Sequence, residues 1–167
     1  MKRTVAREIA ARLCFAVSEN PSDPEELLSQ VFEEEYYSSL QTEDELYKSK
    51  PNKKQLSYIK ELVTGIYNHS AELDGYIEKY AVGWKFGRIS RTAAAIMKLA
   101  MYEVLYMPDV PDGAAINEAV ELAGRYEPPE TVSFINGILG SFSRNEKEQV
   151  NKNADLIKTQ AVGTDGG

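Results

Sequence analysis

The fold is decided by DVPDGAAINEAVELAGRYEPPETVSFINGIL (residues 109–139), which holds two helical patterns separated by a proline joint. The first helix is predicted to begin at Asp112 or Gly113. Its apolar residues recur three and four positions apart, so a helix places them on one face. These residues are Ala115, Ile116, Ala119, Val120 and Ala123. Pro128 ends this helix, because its ring disfavours helical backbone at the preceding residue and it has no N–H to donate.

The second helix of this stretch is predicted to begin near Thr131, after Pro129. Its apolar stripe is wide, which indicates a helix packed deep in a core. The residues of the stripe are Phe134, Ile135, Ile138, Leu139 and Phe142. The stretch therefore predicts two packed helices and shows no catalytic group of its own.

Helical periodicity covers most of the remaining chain. Asp23 is the expected N-cap of a short helix with Pro24 at its first position, and Ser90 is expected to cap a helix over residues 91–106. The charged segment 41–54 predicts a loop. Apolar repeats predict further helices around residues 5–17, 56–66 and 73–80, whereas no segment alternates as a half-buried strand does. The sequence therefore predicts an all-α protein.

The aromatic connection YAVGWKFGR (residues 80–88) divides the chain into two helical halves. Trp84 and Phe86 are expected to fill the gap between them. We expect residues 1–145 to form the helical domain, with the joint near residues 81–90. The polar residues 146–167 are expected to form a tail that is disordered from about Asn151 onward.

Composition narrows the class of protein. The 167 residues carry a formal net charge of −7, and 43% of them are hydrophobic, enough to bury a single core. The single cysteine, Cys14, cannot form an internal disulfide and is expected to be a buried structural thiol. The sequence shows neither a signal-peptide pattern nor an apolar run long enough to span a bilayer, so we predict a cytoplasmic protein without membrane association.

Catalytic and metal-binding constellations are absent from the sequence pattern. The only histidine, His69, has no cysteine, acid or second histidine at metal-ligand spacing, and it is expected at the surface end of a helix. No glycine-rich loop joins a strand to a helix, and nothing places a nucleophilic serine beside His69. We therefore predict that the protein is not an enzyme and has no metal site and no cofactor.

A small basic cluster at the N-terminus is the candidate binding surface. Lys2, Arg3 and Arg7 lie close together, with Arg3 and Arg7 four residues apart on one helix face and Arg12 beside it. Two interpretations stay open, an RNA-binding surface or ordinary solvated charges. The acidic balance, with a pI of about 4.9, argues against strong binding of nucleic acid by the chain alone.

The chain resembles the NusB transcription antitermination factors over roughly residues 3–142. The resemblance rests on an ordered set of motifs at compatible spacing, of which DVP…AINEAVELA and FINGIL are the most specific. The motifs are VAREIAARLCF (5–15), ELVTGIYNHSAELDGYI (61–77), Trp84, AAIMKLAMYEVLYMPDVPDGAAINEAVELAGRY (94–126) and SFINGIL (133–139). The resemblance implies an all-α bundle of two small helical subdomains. It further implies a factor that pairs with ribosomal protein NusE, binds boxA-type single-stranded leader RNA, and joins the RNA polymerase antitermination complex.

Residue roles follow from the same resemblance. It implies RNA binding by Arg3 and Arg7, although Thr4 and Val5 stand where further arginines often occur in the family. Lys2, from the basic cluster, is assigned to the same RNA-binding set. Phe15 matches a position often held by tyrosine, and its ring either stacks on a base or packs in the core. Five further matching residues are expected to serve as turn, capping and buried hydrogen-bonding residues. They are Asp109, Pro111, Asn117, Glu118 and Asn136.

Alternatives to this function remain open from the sequence. The loop MPDVPDG (residues 107–113) has no lysine or arginine, which favours a non-enzymatic helical adaptor that binds protein and has lost direct RNA contact. A similar helical domain is fused to ribosomal RNA cytosine methyltransferases, but this chain has no room for their catalytic domain. A homodimer is also compatible with the pattern, and the residues that contact NusE are not predicted.

Overall fold

The computed structural model describes residues 1–20, 23–84, 89–147 and 156. Every regular element within these ranges is helical, as predicted. The α-helices are α1 (Arg3–Glu19), α2 (Pro24–Val31), α3 (Glu34–Glu43), α4 (Lys53–Asn68), α5 (Ser70–Tyr80), α6 (Arg91–Tyr106), α7 (Asp112–Tyr126) and α8 (Pro129–Phe142). A short 3₁₀ turn follows α3 at Glu45–Tyr47, and a π-helical turn follows α8 at Ser143–Lys147. No helix in the described part of the chain is both long and apolar enough to cross a membrane.

Local sequence signals set the helix ends. Helix α7 starts at Asp112 and stops before Glu127, whose backbone is extended at φ −124° and ψ 154° ahead of Pro128. The predicted start of α8 at Thr131 is two residues late, because Pro129 occupies the first helical position, where its missing N–H costs nothing. The predicted caps are confirmed, since Asp23 accepts from the Glu25 N–H and Ser90 from the Ala93 N–H.

Helix α6 is the centre of the bundle. It packs against α1, α4, α5, α7 and α8. Ala93, Ala95 and Ala100 are buried on it and let the neighbouring backbones approach closely. Helices α1 and α4 pack against each other on one side of α6, while α7 and α8 cover another. The N-terminal segment of the chain is therefore held by helices from both halves of the sequence.

Two expectations about the core are wrong. Segment 41–54 is not simply a loop, because α3 extends into it and the buried Tyr47 ring packs edge-on against Tyr37 at 5.9 Å between centroids. Phe134 is 43% exposed, so the buried stripe of α8 is narrower than predicted. Its ring lies 5.3 Å from that of Trp84, whereas Phe86 lies outside the described residues.

The helical structure that follows α8 reaches Lys147 and is attached to the bundle by side chains. Glu146 accepts a hydrogen bond from Lys79 at 2.7 Å, and Lys147 pairs with Asp112 at 2.5 Å. These contacts fasten the end of the described bundle to α5 and α7. Of the later tail residues the structure describes only Leu156, and residues 85–88 of the expected joint also lie outside the described ranges.

We expect Gly65→Ala to destabilise the protein by about 1–3 kcal/mol, the usual cost of overpacking a core. A Cβ at this buried position of α4 would overlap the Tyr102 ring. Gly75→Ala on α5 is the matched control, because nothing lies within 4 Å of the added methyl. The control should gain about 0.5–1 kcal/mol from helix propensity. Urea unfolding measures both effects, and equal effects would contradict the close packing of Gly65 against Tyr102.

Cys14 is buried, as predicted, and burial raises the pKa of its thiol to about 12. The folded state therefore keeps the proton while the unfolded chain releases it above a pKa of 9.0, so stability falls as the pH rises through this range. At a pH of about 10.5 the wild type should have lost about 2 kcal/mol relative to Cys14→Ala. Urea unfolding of both proteins at neutral and alkaline pH measures this, and parallel curves would contradict it.

Candidate nucleic-acid interface

The start of α1 is attached to α4 by side chains. Lys2 is the N-cap of α1, yet its side chain makes no capping hydrogen bond within the described part of the chain. Instead the Met1 carbonyl accepts a hydrogen bond from the Gln55 side chain of α4. One turn further along α4, the Tyr58 ring lies under Arg3, whose guanidinium carbon is 4.5 Å from the ring centroid. The side chains of Lys2 and Arg3 are exposed.

Arg7 lies in the interior rather than on the exposed basic surface. It is 6% exposed and donates two hydrogen bonds to the Glu103 carboxylate of α6, Nε to Oε1 at 2.9 Å and Nη2 to Oε2 at 3.0 Å. The Tyr58 hydroxyl donates to the same Oε2 at 3.1 Å. Arg7, Tyr58 and Glu103 together form what we call the buried triad.

The pKa shifts of the buried triad have opposing causes. Burial alone would lower the pKa of Arg7, but hydrogen bonding and Coulomb attraction to Glu103 outweigh it, so the pKa of Arg7 is raised. Burial, reinforced by the charge of Glu103, raises the pKa of Tyr58. Arg7 therefore stays a cation and Tyr58 a neutral donor at physiological pH. Because its Nε and Nη2 are already paired with Glu103, Arg7 has no free fork to offer a phosphate, whereas Arg3 forms no ion pair with the part of the chain that the structure describes.

Two exposed lysines at the start of α4 were not predicted as candidate RNA-binding residues. Lys53 and Lys54 are exposed in the first turn of α4, and Lys54 lies four residues before Tyr58 on the same helix face. The charge of segment 41–54 predicts a loop, but Asn52 and Gln55 form a capping box that marks a helix start. We call Lys2 and Arg3 at the start of α1, together with Lys53 and Lys54 in the first turn of α4, the α1–α4 basic surface, because the Gln55–Met1 hydrogen bond joins these two helix starts.

Phe15 lies apart from the α1–α4 basic surface. It is twelve residues beyond Arg3, which on an α-helix is about 18 Å along the axis and about 120° around it. Its half-buried ring lines an apolar groove of about 280 Å³ between α1, α6 and the end of α7. Arg12 and Tyr126 also line this groove. The structure thus brings Lys2 and Arg3 together and leaves Phe15 as a separate candidate subsite.

Ion pairs fix the edge of the groove. Arg12 donates to Asp44 at 2.6 Å and to the Tyr126 hydroxyl at 3.1 Å. Tyr126 in turn donates to Glu8 at 2.6 Å, and Arg125 pairs with the same carboxylate at 2.5 Å. The Tyr126 ring remains 42% exposed. A planar base could lie against such aromatic walls, since every base has a face for stacking.

The sequence model of the NusB family matches residues 4–144. The chain belongs to the NusB family. Among its relatives, the transcription antitermination protein NusB of Acetivibrio thermocellus is 39% identical over 140 residues, which are 84% of this chain and 87% of the relative. The NusB of Ruminiclostridium cellulolyticum is 34% identical over 149 residues, covering 89% of this chain and 93% of the relative.

Solved NusB structures share the fold. The structure of T. maritima NusB matches with a TM-score of 0.70 at 25% identity, covering 89% of this chain and 98% of that one. The NusB fold is therefore established for this chain by sequence and by structure. The assignment also confirms the resemblance inferred from the AINEAVELA and FINGIL motifs.

Three polar residues of those NusB motifs are exposed, so they do not take the part of buried hydrogen-bonding residues that was among the roles expected for this set. Asp109, Asn117 and Asn136 are exposed, while the adjoining Val110 is 3% exposed and packs into the core. Pro111 does serve as the N-cap position of α7. Apolar neighbours, rather than buried hydrogen bonds from the three exposed residues, therefore hold this part of the NusB fold in register.

His69 lies at the junction of α4 and α5, where a surface residue was expected. Its ring stacks on Tyr106 at 4.4 Å, and Nδ1 lies 3.1 Å from a Glu72 oxygen. Glu72 also accepts from the Tyr106 hydroxyl at 2.8 Å. Within residues 1–20, 23–84 and 89–147, no group of three or more potential ligand side chains is placed to hold a metal ion.

Proposed function

We propose that this protein is a transcription antitermination factor that pairs with ribosomal protein NusE and binds boxA-type leader RNA of ribosomal RNA operons. In this role it joins the RNA polymerase antitermination complex and helps the polymerase read through terminators. Its membership of the NusB family and the names of its relatives support the antitermination role. The RNA contact is supported by one observation, the α1–α4 basic surface.

The α1–α4 basic surface supplies cations that the sequence of α1 alone does not. Four exposed positive side chains stand at the starts of α1 and α4, which the Gln55–Met1 hydrogen bond joins, although the chain has a net charge of −7. We assign phosphate contacts to Lys2 and Arg3, with Lys53 and Lys54 beside them. Arg7 supports this surface from beneath, and Phe15 offers a ring for base stacking at a separate position. Phosphate contacts of this kind bind single strands with a strong dependence on salt.

The acidic balance suggests why a partner is needed. A protein of net charge −7 repels the phosphate backbone outside its local basic surface. We infer that NusE adds positive charge to the RNA site and that acidic surface of this chain recruits it. RNA affinity of the isolated chain should then be modest and should rise when NusE is bound.

The test is a titration of a labelled boxA-like single strand with this protein, with and without NusE. We expect tighter binding with NusE, and weaker binding for Arg3→Ala in both series. Equal affinity with and without NusE would contradict the partnership. RNA binding that Arg3→Ala leaves unchanged would contradict the assigned surface.

The burial of Arg7 favours a second candidate, a helical adaptor that binds protein without touching RNA. The two candidates differ in one simple measurement. An adaptor shows no salt-dependent RNA retention even with NusE present, whereas the proposed factor does.

A further inference from the structure

We propose that Tyr58 is a positioning residue for RNA binding: its ring holds the Arg3 guanidinium in a phosphate-ready orientation, and the Arg7–Glu103 pair fixes that ring. The inference rests on the proposed RNA function of Arg3. It assigns Arg7 a role beneath the surface instead of in contact with RNA.

The contact between Arg3 and Tyr58 restricts the Arg3 side chain. An exposed arginine samples many rotamers, and freezing them on binding a phosphate lowers affinity. Here the Arg3 guanidinium carbon already lies 4.5 Å from the Tyr58 centroid, the geometry of a cation–π contact. A guanidinium stacked by its face keeps its N–H groups at its edge, available to a phosphate. The ring therefore preorganises the side chain without using its donors.

The Tyr58 ring is in turn held in place by buried groups. Tyr58 is 8% exposed, and its hydroxyl reaches Glu103 at 3.1 Å. Glu103 is fully buried and receives two hydrogen bonds from Arg7, whose guanidinium carbon is 5.9 Å from the same ring. The ring is thus held from α1, α4 and α6 at once, with Arg3 on the exposed side of the contact.

The buried position beneath Tyr58 is occupied by the charged pair Arg7 and Glu103. Apolar residues of similar volume often replace a buried ion pair without loss of stability. Stability alone therefore does not require Arg7 and Glu103. The Glu103 carboxylate gives the Tyr58 hydroxyl a fixed acceptor, and a buried carboxylate is costly unless it is paired, as it is here with Arg7. The triad is explained by the orientation it imposes on the ring.

The test is a double-mutant cycle in the complex with NusE, using a labelled boxA-like single strand. Arg3→Ala and Tyr58→Leu are each expected to weaken binding about fivefold, in line with loss of one phosphate contact or its preorganisation. The double variant should bind no more weakly than Arg3→Ala, because Tyr58 acts through Arg3. Tyr67→Leu is the matched control, since Tyr67 is a 45% exposed tyrosine on the same helix. It should leave affinity unchanged.

A surface variant keeps the test decisive if Tyr58→Leu does not fold. Arg3→Lys retains the charge but loses the planar group that stacks on the ring. We expect it to weaken binding about threefold while the slope of log affinity against log salt stays that of the wild type. Wild-type affinity in Arg3→Lys would overturn the inference, as would additive effects in the cycle.

The outcomes separate this inference from the proposed function. If the wild type with NusE shows no salt-dependent RNA binding, the RNA function fails and the inference falls with it. If the wild type binds and Arg3→Ala weakens it, but Tyr58→Leu acts independently of Arg3, the function stands and the inference alone is overturned.

Discussion

Glu103→Ala is expected to destabilise the protein by about 3–5 kcal/mol, the cost of leaving a buried charge without its partner. Glu103 is fully buried and accepts from both Arg7 and Tyr58. Its removal leaves the Arg7 guanidinium, which is 6% exposed, with Glu118 at 4.0 Å as its remaining acidic neighbour among the described residues. Urea unfolding should show the loss directly, and Tm should fall by about 10 °C for a chain of this size.

Glu118→Ala is the matched control for the ion pair. Glu118 approaches the same arginine, but its side chain is 28% exposed and the 4.0 Å separation is too long for a direct hydrogen bond. Its removal should cost less than about 1 kcal/mol. Replacing both members of the pair, Arg7→Met with Glu103→Leu, should recover only part of the lost stability, because the buried Tyr58 hydroxyl still loses its acceptor. Equal losses for Glu103→Ala and Glu118→Ala would contradict the central role of the pair.

The placement of Arg7 shows where sequence reasoning stops. The four-residue spacing of Arg3 and Arg7 correctly predicts one helix face, and the structure directs both toward Tyr58. Whether such a face meets solvent or another helix depends on residues far along the chain. Glu103, the partner of Arg7, is 96 residues away. The local spacing shows that Arg3 and Arg7 share a helix face, but it does not show that Glu103 buries Arg7 and leaves Arg3 exposed.

Helix boundaries were more predictable because their causes are local. Pro128 and the caps at Asp23 and Ser90 act within a few residues, and the structure confirms them. The start of α4 could also have been predicted, because the Asn52–Gln55 capping box is a pattern in the sequence itself. The exposure of Phe134 could not be predicted from the sequence, because an aromatic residue at the edge of an apolar stripe fits either a core or a surface position.

RNA affinity in the complex with NusE is expected to fall steeply with salt. If the four cations of the α1–α4 basic surface each neutralise one phosphate of a single strand, the slope of log affinity against log salt is about −2.8 from this chain alone. Raising salt from about 50 to about 300 mM then weakens binding by about 150-fold. Fluorescence titrations of a labelled boxA-like strand at four or more salt concentrations give the slope.

Lys53→Ala with Lys54→Ala tests the part of this surface that comes from α4. Removing two phosphate contacts should reduce the magnitude of the slope by about 1.4. The same rise in salt should then weaken binding by about 12-fold, compared with about 150-fold in the wild type. Lys48→Ala with Lys50→Ala is the control, because Lys48 and Lys50 lie outside α4 and approach Glu45 and Glu34 at 3.8 and 3.9 Å. An unchanged slope in the α4 double variant would exclude Lys53 and Lys54 from the interface. The same slope loss in both pairs would mean that net charge, rather than the geometry of the α1–α4 basic surface, governs RNA binding.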